Sequence, residues 1–308
     1  MTPSICLPTW PGSDMRLARV ELGGQAFWAL VDADSEHCRR VRAPFACWMG
    51  QSGGLCLDDL DLSDERLSLA GARLLPPLEP GSRVFGVGLN YLSHLQRLGS
   101  QAPAHPLAYL KLESALVGAN DPISYSPVTR QLDYEVELVA VVGRTLQDER
   151  RASACLLGFT VGNDISARDA GQQIGRLDLL TQKAMDRTTP VGPWIVTADE
   201  LGGEQQPALE MRLSVNDEVR QHDNTQHMIF PLDELLNYLD ARIKLRPGDL
   251  VFTGSTHGVG LETGRFLQPG DLVVAQISGI GQLSNTVAAP SPLGPARAVG
   301  RLGLPPDH

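Results

Sequence analysis

The sequence has few cysteines and lacks two common enzyme motifs. Its 308 residues include five cysteines, and no two of them form a Cys-x-x-Cys pair. An odd number of scattered cysteines favours reduced, structural thiols over a disulfide framework. No His-Glu-x-x-His pair is present, and Gly86 and Gly88 lack the third glycine of a dinucleotide-binding loop. These absences argue against a zinc hydrolase and a dinucleotide-dependent enzyme.

Positive charge and long apolar runs are also scarce. Lysine and arginine number 26 against 36 acidic residues, which gives a formal net charge of −10 with no basic cluster. Nucleic acid is therefore not an expected partner. No apolar run approaches the length that spans a membrane, and residues 1–12 lack the basic and apolar regions of a secretion signal. We expect a cytoplasmic protein that does not bind membranes.

The composition is otherwise that of a soluble globular protein, with 42% hydrophobic and 20% charged residues. The length allows one large domain and one small domain. A proline-rich connection at residues 74–81 predicts the boundary between them. We therefore predict a small N-terminal domain over residues 1–80, a catalytic domain over residues 81–290 and a flexible tail over residues 291–308.

Predicted strands outnumber predicted helices. Residues 15–31 and residues 211–221 each show alternation around a turn, which predicts two hairpins. Residues 89–98 predict a helix that ends at Gly99. Residues 230–239 carry leucines along one face and predict a second helix that covers a sheet.

A strand rich in acids is the most distinctive stretch. Alternation followed by a continuous apolar run over residues 131–143 predicts a strand that enters the core. Because side chains alternate between the faces of a strand, Asp133, Glu135 and Glu137 should point the same way, and their charges should repel one another. Two interpretations remain open: an edge strand that presents acids to water, or acids that surround a cation.

Asn163 and Asp164 end a second short apolar run, residues 158–162, at a turn. A turn acid is commonly a cap or an Asx turn. Next to two carboxylates of a neighbouring strand, Asp164 would instead complete an all-oxygen site. Such a site suits Mg²⁺, Mn²⁺ or Ca²⁺ rather than Zn²⁺, but spacing alone does not decide between these interpretations.

Three further features have both a structural and a functional interpretation. His94 lies beside a helical stripe of leucines that includes Leu92, and it is either a packed or surface residue or a catalytic group. Lys111, in a predicted strand, either faces water or points inward towards an anionic substrate. The small residues of 252–260 either form a tight loop or let the backbone approach a ligand.

The order of these motifs resembles the fumarylacetoacetate hydrolase family. The resemblance covers about residues 83–287, and its most specific parts are Tyr134-Glu-Val-Glu137 and Asn163-Asp-Ile-Ser-Ala-Arg-Asp169. The N-terminal unit also resembles the small leading domain of bacterial members. The resemblance implies an α+β, predominantly β fold, namely a mixed β roll of the fumarylacetoacetate hydrolase C-terminal type with a small N-terminal domain. It also implies a homodimer.

The resemblance further implies a ligand set and catalytic residues. Mg²⁺ or Mn²⁺, or else Ca²⁺, would bind through Glu135, Glu137 and Asp164. His94 matches a histidine that deprotonates water, and Lys183 matches a lysine that contacts the substrate or stabilises its enolate. Thr253 matches a substrate-contacting threonine, and we predict further substrate-binding residues at Tyr91, Lys111, Gln172 and His257.

Three positions depart from the family pattern. Arg97 stands one helical turn after His94, where hydrolases and decarboxylases of the family often carry an acid. Gly171 replaces a substrate-binding glutamine, although Gln172 is adjacent to it. His257 enters a loop close to the expected substrate, where it either donates a proton or reshapes the pocket.

Three functional hypotheses follow. The leading one is a metal-dependent hydrolase that cleaves a C–C bond in an acylpyruvate or other β-diketo acid through a metal-stabilised enolate. The second, suggested by Arg97, is a 2-oxo acid decarboxylase, tautomerase or hydratase on the same scaffold. The third is a non-catalytic family member that serves as a scaffold or binds a ligand. In the first two, the partner is a small 2-oxo or diketo acid.

Overall fold

The computed structural model describes residues 15–49, 60–127, 129–146, 149–169, 178–202 and 206–290. Gly171, Gln172 and the predicted tail at residues 291–308 lie outside these ranges. Within them β-strand is the predominant regular secondary structure. The strands in chain order are β1 (Arg16–Leu22), β2 (Gln25–Val31), β3 (His37–Val41), β4 (Leu62–Ser68), β5 (Arg73–Leu75), β6 (Val84–Gly88), β7 (Leu107–Lys111), β8 (Leu116–Val117), β9 (Leu132–Asp133), β10 (Val136–Val142), β11 (Leu156–Asn163), β12 (Ser166–Ala167), β13 (Thr189–Thr197), β14 (Glu210–Val215), β15 (Glu218–Asn224), β16 (Leu250–Ser255), β17 (Leu272–Ile277) and β18 (Gly281–Thr286).

The helices are few and short. The α-helices are α1 (Phe45–Trp48), α2 (Leu92–Leu98), α3 (Leu179–Lys183), α4 (Leu232–Asp240) and α5 (Gly260–Thr263). Short 3₁₀ segments lie at Glu113–Ala115, Glu149–Cys155, Ala198–Leu201 and Thr225–His227. None of the helices in the described ranges combines the length and apolar character that crossing a bilayer requires.

Twelve of the strands form one large mixed sheet. Its main path runs β4-β3-β2-β1-β13-β11-β10-β16-β6-β7, with β5 paired to β1 and β8 paired to β13. A four-stranded antiparallel sheet runs β15-β14-β17-β18, and β9 pairs with β12. Apolar residues of both larger sheets share one core, for example Leu138 and Ala140 of β10 with Leu213 of β14 and Ala275 of β17. The predicted mixed, predominantly β fold with a small N-terminal unit is confirmed.

The N-terminal strands continue the large sheet, because β1 pairs with β13. The division at residue 80 therefore does not interrupt the sheet, and the three-part domain scheme stays a prediction. The cytoplasmic location and the homodimer also stay predictions.

Several local predictions agree with the structure. β1 and β2 form the first hairpin around Gly23 and Gly24, whose φ angles of 59° and 76° suit glycine. β14 and β15 form the second around Asn216 and Asp217. All four predicted leucines of α4 are buried: Leu232, Leu235, Leu236 and Leu239.

Helix α2 is shorter than predicted. It begins at Leu92 rather than at residue 89, because Leu89 adopts a left-handed φ of 57°. It ends at Gly99, also left-handed, as predicted. Leu95 is buried, but Leu92 is 53% exposed, so the helix buries His94 and Leu95 rather than the full leucine stripe.

The acidic stretch differs from its prediction in two respects. The edge-strand interpretation is wrong, since β10 lies between β11 and β16 and all seven of its residues are buried. The predicted continuous strand is also interrupted at Tyr134 and Glu135. There the Glu135 amide donates to Asn163 Oδ1 at 2.9 Å, and the Asp164 amide donates to the Glu135 carbonyl at 2.8 Å. This cross-connection places Asp164 beside Glu135.

Candidate active site

Neighbouring strand ends and the helices beside them enclose a cavity of about 250 Å³. The strands concerned are β6, β7, β10 and β16, which are adjacent in the large sheet. The polar and charged lining residues are His94, Tyr109, Glu135, Glu137, Arg168, Gln182, Lys183 and Ser255. The apolar lining residues are Leu89, Leu98, Leu107, Leu179 and Leu261.

Three carboxylates lie close together here, and two of them, Glu135 and Glu137, line the cavity. Glu135, Glu137 and Asp164 each offer an oxygen within 4.8 Å of the others, and all three residues are buried. Glu137 comes from the start of β10, Glu135 from the interruption before it, and Asp164 from the end of β11. The donors are all hard oxygens, as Mg²⁺, Mn²⁺ and Ca²⁺ prefer. The arrangement therefore fits a divalent cation.

Two lysines and an arginine partly neutralise these acids. Lys183 Nζ lies 2.5 Å from Glu135 Oε2 and 2.6 Å from Asp164 Oδ2. Lys111 Nζ lies 2.5 Å from Asp164 Oδ1 and also donates to the Lys183 carbonyl. Arg168 bonds Asp133 Oδ2 at 2.8 Å and Glu135 Oε1. We call these seven residues the charged cluster: Asp133, Glu135, Glu137, Asp164, Lys111, Arg168 and Lys183.

Glu137 is the acid of this cluster without a cation partner within the described ranges. Its Oε2 accepts the Gly254 amide at 2.7 Å. Burial, together with the charges of Asp164 and Glu135, raises the pKa of Glu137 well above its usual value. An added divalent cation would relieve this repulsion, which supports the fit of the carboxylate set to a metal.

The paired acids behave in the opposite way. Burial alone would raise the pKa of Asp164, but Lys111 and Lys183 hold that pKa well below its usual value. Burial likewise opposes ionisation of Glu135, whereas Lys183 and Arg168 lower its pKa.

Burial lowers the pKa of Lys111 despite the nearby Asp164, because no part of the Lys111 side chain is exposed. For Lys183 the acids Asp164 and Glu135 outweigh burial and raise the pKa, so its ammonium stays protonated at neutral pH.

His94 is paired with an acid that the sequence did not reveal. Its Nδ1 lies 2.5 Å from Oε1 of Glu262, and both side chains are buried. Glu262 Oε2 accepts the Gly258 amide at 2.7 Å, which fixes the carboxylate. Arg97, where an acid was expected, is exposed on the last turn of α2. The only sequence signal for Glu262 is the small-residue loop at residues 252–260 that precedes it. In the structure Gly258 of this loop adopts a φ of 96°.

Asp223 fixes the helix that carries His94. Asp223 Oδ2 accepts from Ser93 Oγ at 2.8 Å and from the Thr256 hydroxyl, and Asp223 Oδ1 lies 2.6 Å from His227 Nδ1. Ser93 precedes His94 on α2. Although burial opposes it, the hydrogen bonds from His227 and Thr256 lower the pKa of Asp223 to about 2. Asp223 therefore joins α2 to the small-residue loop at Thr256.

Several predicted substrate-binding residues are not among those that line the cavity. Tyr91 is buried, with its hydroxyl 3.7 Å from Met211 Sδ. Thr253 donates its hydroxyl to the Leu138 carbonyl at 2.8 Å. His257 is partly exposed and lies 3.7 Å from Asp223 Oδ2. Lys111 points inward, but it contacts Asp164 and does not line the cavity. Their substrate-binding roles stay predictions.

Models of known families match most of the chain. The model described as "Fumarylacetoacetate (FAA) hydrolase C-terminal" matches residues 83–288. A second model, described as "Rv2993c-like, N-terminal", matches residues 15–77.

Curated relatives and solved structures agree with these matches. "Protein Rv2993c" of Mycobacterium tuberculosis is 40% identical over 71% of this chain and 80% of its own. "Oxaloacetate tautomerase fahd2, mitochondrial" of Xenopus laevis is 32% identical over 74% of this chain and 72% of its own. The structure of 5-carboxymethyl-2-hydroxymuconate delta-isomerase from Mycobacterium smegmatis has a TM-score of 0.74 and 30% identity, covering 89% of this chain and 99% of that one. Fumarylpyruvate hydrolase from Pseudomonas aeruginosa, in complex with Mn²⁺ and pyruvate, has a TM-score of 0.61 and 30% identity, covering 73% of this chain and 92% of that one.

The buried pair of Lys111 and Asp164 predicts a large stability effect. Replacing Lys111 with Met should leave the Asp164 carboxylate with less compensation and should lower the free energy of unfolding by about 3–5 kcal/mol. The matched control is Lys244→Met, because Lys244 bonds Asp240 at 2.6 Å but is 78% exposed. The control should cost at most about 1 kcal/mol. Urea unfolding measures both, and equal losses would contradict the assignment.

Asp223 predicts a pH-dependent contribution to stability. Because its folded pKa is lowered to about 2 from the usual 3.8, it should stabilise the fold above about pH 4, and this stabilisation should fade as the pH falls towards 2. Urea unfolding should therefore show a deficit for Asp223→Asn at pH 5 that shrinks at pH 2.5. The control Asp64→Asn, at a fully exposed position, should change stability little at either pH. A deficit for Asp223→Asn that is constant with pH would refute the pairing.

Proposed function

We propose, given that the chain belongs to the fumarylacetoacetate hydrolase family, that it is a divalent-metal-dependent hydrolase of a C–C bond in an acylpyruvate or a related β-diketo acid. The family contains isomerases, tautomerases and hydrolases. The observation that supports the proposal is that one cavity is lined by Glu135 and Glu137 of the three-carboxylate cluster and by His94 of the His94–Glu262 pair.

Glu135, Glu137 and Asp164 would hold Mg²⁺ or Mn²⁺. When bound, such an ion polarises the carbonyl oxygens of a 2-oxo acid and stabilises negative charge that develops on them. The relative from Pseudomonas aeruginosa, solved with Mn²⁺ and pyruvate, supports this choice of cation. Lys183 bonds two of the three acids, so it would lie beside the bound ion.

His94 is suited to accept a proton from water. Its Nδ1 bonds Glu262, and its ring lines the cavity. A carboxylate on one ring nitrogen fixes the tautomer and stabilises the imidazolium that forms when the other nitrogen takes a proton. Glu262 thus supplies the acid that the sequence lacks one turn after His94. This removes the main objection to hydrolysis that Arg97 raised.

The bond changes follow from this arrangement. Water that loses a proton to His94 adds to the acyl carbonyl carbon. The C–C bond to the pyruvoyl part then breaks, and its electron pair forms the enolate of pyruvate. Protonated Lys183 stabilises the developing negative charge. Return of a proton to the enolate carbon gives pyruvate and a carboxylic acid.

Tautomerisation of a 2-oxo acid is the second candidate. The relative from Xenopus laevis, named as an oxaloacetate tautomerase, favours it. The same His94–Glu262 pair would move a proton between carbon and oxygen of the substrate without adding water. The two candidates share every residue of the site and differ only in whether water attacks carbon.

Reaction in ¹⁸O-labelled water distinguishes the two candidates. With Mn²⁺ and an acylpyruvate, hydrolysis should give pyruvate and a carboxylic acid that carries one solvent oxygen in its new carboxylate. Tautomerisation should give proton exchange or keto–enol interconversion without cleavage. Mass spectrometry of the products measures both, and Glu135→Gln is the metal-site control. The proposal would be overturned if Glu135→Gln kept both Mn²⁺ binding and turnover. It would also be overturned if the protein reacted with no 2-oxo acid.

Glu262 should be needed for catalysis but not for metal binding. Replacing Glu262 with Gln removes the negative charge beside His94, so kcat should fall by about 10²- to 10³-fold. Titration with Mn²⁺ should give an unchanged Kd, since Glu262 is not one of the three acids. Glu210→Gln is the control, because Glu210 pairs with exposed His222 at 2.8 Å and should retain full activity. Unchanged kcat in Glu262→Gln would show that the pair has no catalytic role.

A further inference from the structure

The lining of the cavity changes character from its buried part to its rim. Glu135, Glu137 and Lys183 are at most 6% exposed. The five lining leucines are all more accessible, and Leu261 is 45% exposed. The charged groups therefore lie at the floor, and the leucines lie nearer the mouth. A substrate whose oxygens reach the floor must place its other end among leucines.

No lining cation is available to that other end within the described residues. Arg168 bonds Asp133 and Glu135, and Lys183 bonds Glu135 and Asp164. Arg97, the charged residue of α2, does not line the cavity. A second carboxylate among the leucines would lose its hydration without gaining a cation, which is costly. An apolar tail would instead gain by leaving water.

We propose that the enzyme acts on monocarboxylic 2-oxo or 2,4-dioxo acids with an apolar tail, which the leucines at the mouth of the cavity bind, and that it discriminates against dicarboxylic acids. The inference rests on the proposed function, because that function brings the 2-oxo acid end to the charged cluster. It differs from the substrates that the relatives' names give, since oxaloacetate and fumarylpyruvate both end in a second carboxylate.

The cavity size sets a scale for the tail. About 250 Å³ corresponds to roughly eight water-sized groups. Part of that space must hold the pyruvoyl part, so only the first few carbons of the tail can lie among the leucines, and a longer tail extends past Leu261 towards solvent. The benefit of each added methylene should therefore be greatest for short tails and should then level off.

A substrate series tests the inference. With Mn²⁺ present, kcat/KM should rise from acetylpyruvate to hexanoylpyruvate by up to about fourfold for each methylene that is fully buried. Fumarylpyruvate and oxaloacetate should be at least about a hundredfold poorer than the best acylpyruvate. Turnover that favours the dicarboxylic acids, or that is independent of tail length, would overturn the inference and leave the proposed function standing. No turnover of any member, with no binding of inert 2-oxo acids by calorimetry, would overturn both.

A charge placed at the rim provides a second readout. Leu98 lies in the last turn of α2 and lines the cavity, and a cation suits a helix C-terminus. Leu98→Lys should weaken competitive inhibition by 2-oxooctanoate at least tenfold and strengthen inhibition by 2-oxoglutarate. The matched control is Leu92→Lys on the same helix, since Leu92 is 53% exposed and does not line the cavity. Equal effects of the two variants, or no change in either Ki, would contradict binding of the tail by the leucines.

Discussion

Repulsion among three buried carboxylates is the constraint on which the site depends. One carboxylate oxygen of each of Glu135, Glu137 and Asp164 lies within 4.8 Å of the others, and burial weakens the screening of their charges by water. Cationic side chains from separate segments offset this repulsion, namely Lys111 of β7, Lys183 of α3 and Arg168 after β12. The large sheet brings those segments together. The charge balance of the site therefore depends on the fold as a whole.

The parts of this arrangement that follow from local patterns could be predicted from the sequence. The two hairpins and α4 depend on short periodicities and turn residues, and these were sufficient. The residue pattern left two interpretations of Asp164 open, a turn cap or a third acid beside Glu135 and Glu137. The family resemblance favoured the second, and Asp164 lies beside both glutamates. The sequence left open whether Lys111 faces water or points inward. Its side chain points inward, where its ammonium contacts the buried Asp164 carboxylate.

The parts that depend on distant segments could not be predicted. His94 and Glu262 are 168 positions apart, and only the close approach of α5 to α2 reveals their pairing. The interruption at Tyr134 and Glu135 arises from hydrogen bonds to Asn163 and Asp164, which no periodicity of residues 131–143 contains. For the same reason Asp133 does not lie on the acidic strand face that the alternation of residues 131–143 predicted. It accepts amides of Gly260 and Leu261 at the start of α5 and so holds that helix near His94.

The separation of acids from leucines in the chain has a consequence for specificity. The acids come from the interior of the large sheet, where β10 and β11 are buried by their neighbours. The leucines come from α2, β7, α3 and α5 and from the turn before α2. A substitution at a leucine changes the surroundings of the substrate's distal end without removing any member of the charged cluster. A change at Glu135 or Lys183 instead removes one counter-charge from each of two buried partners. Substitutions among the charged groups at the floor of the cavity are therefore costly, whereas substitutions among the leucines that bind the substrate tail at the rim are not. One charged cluster can thus serve relatives whose names give different substrates.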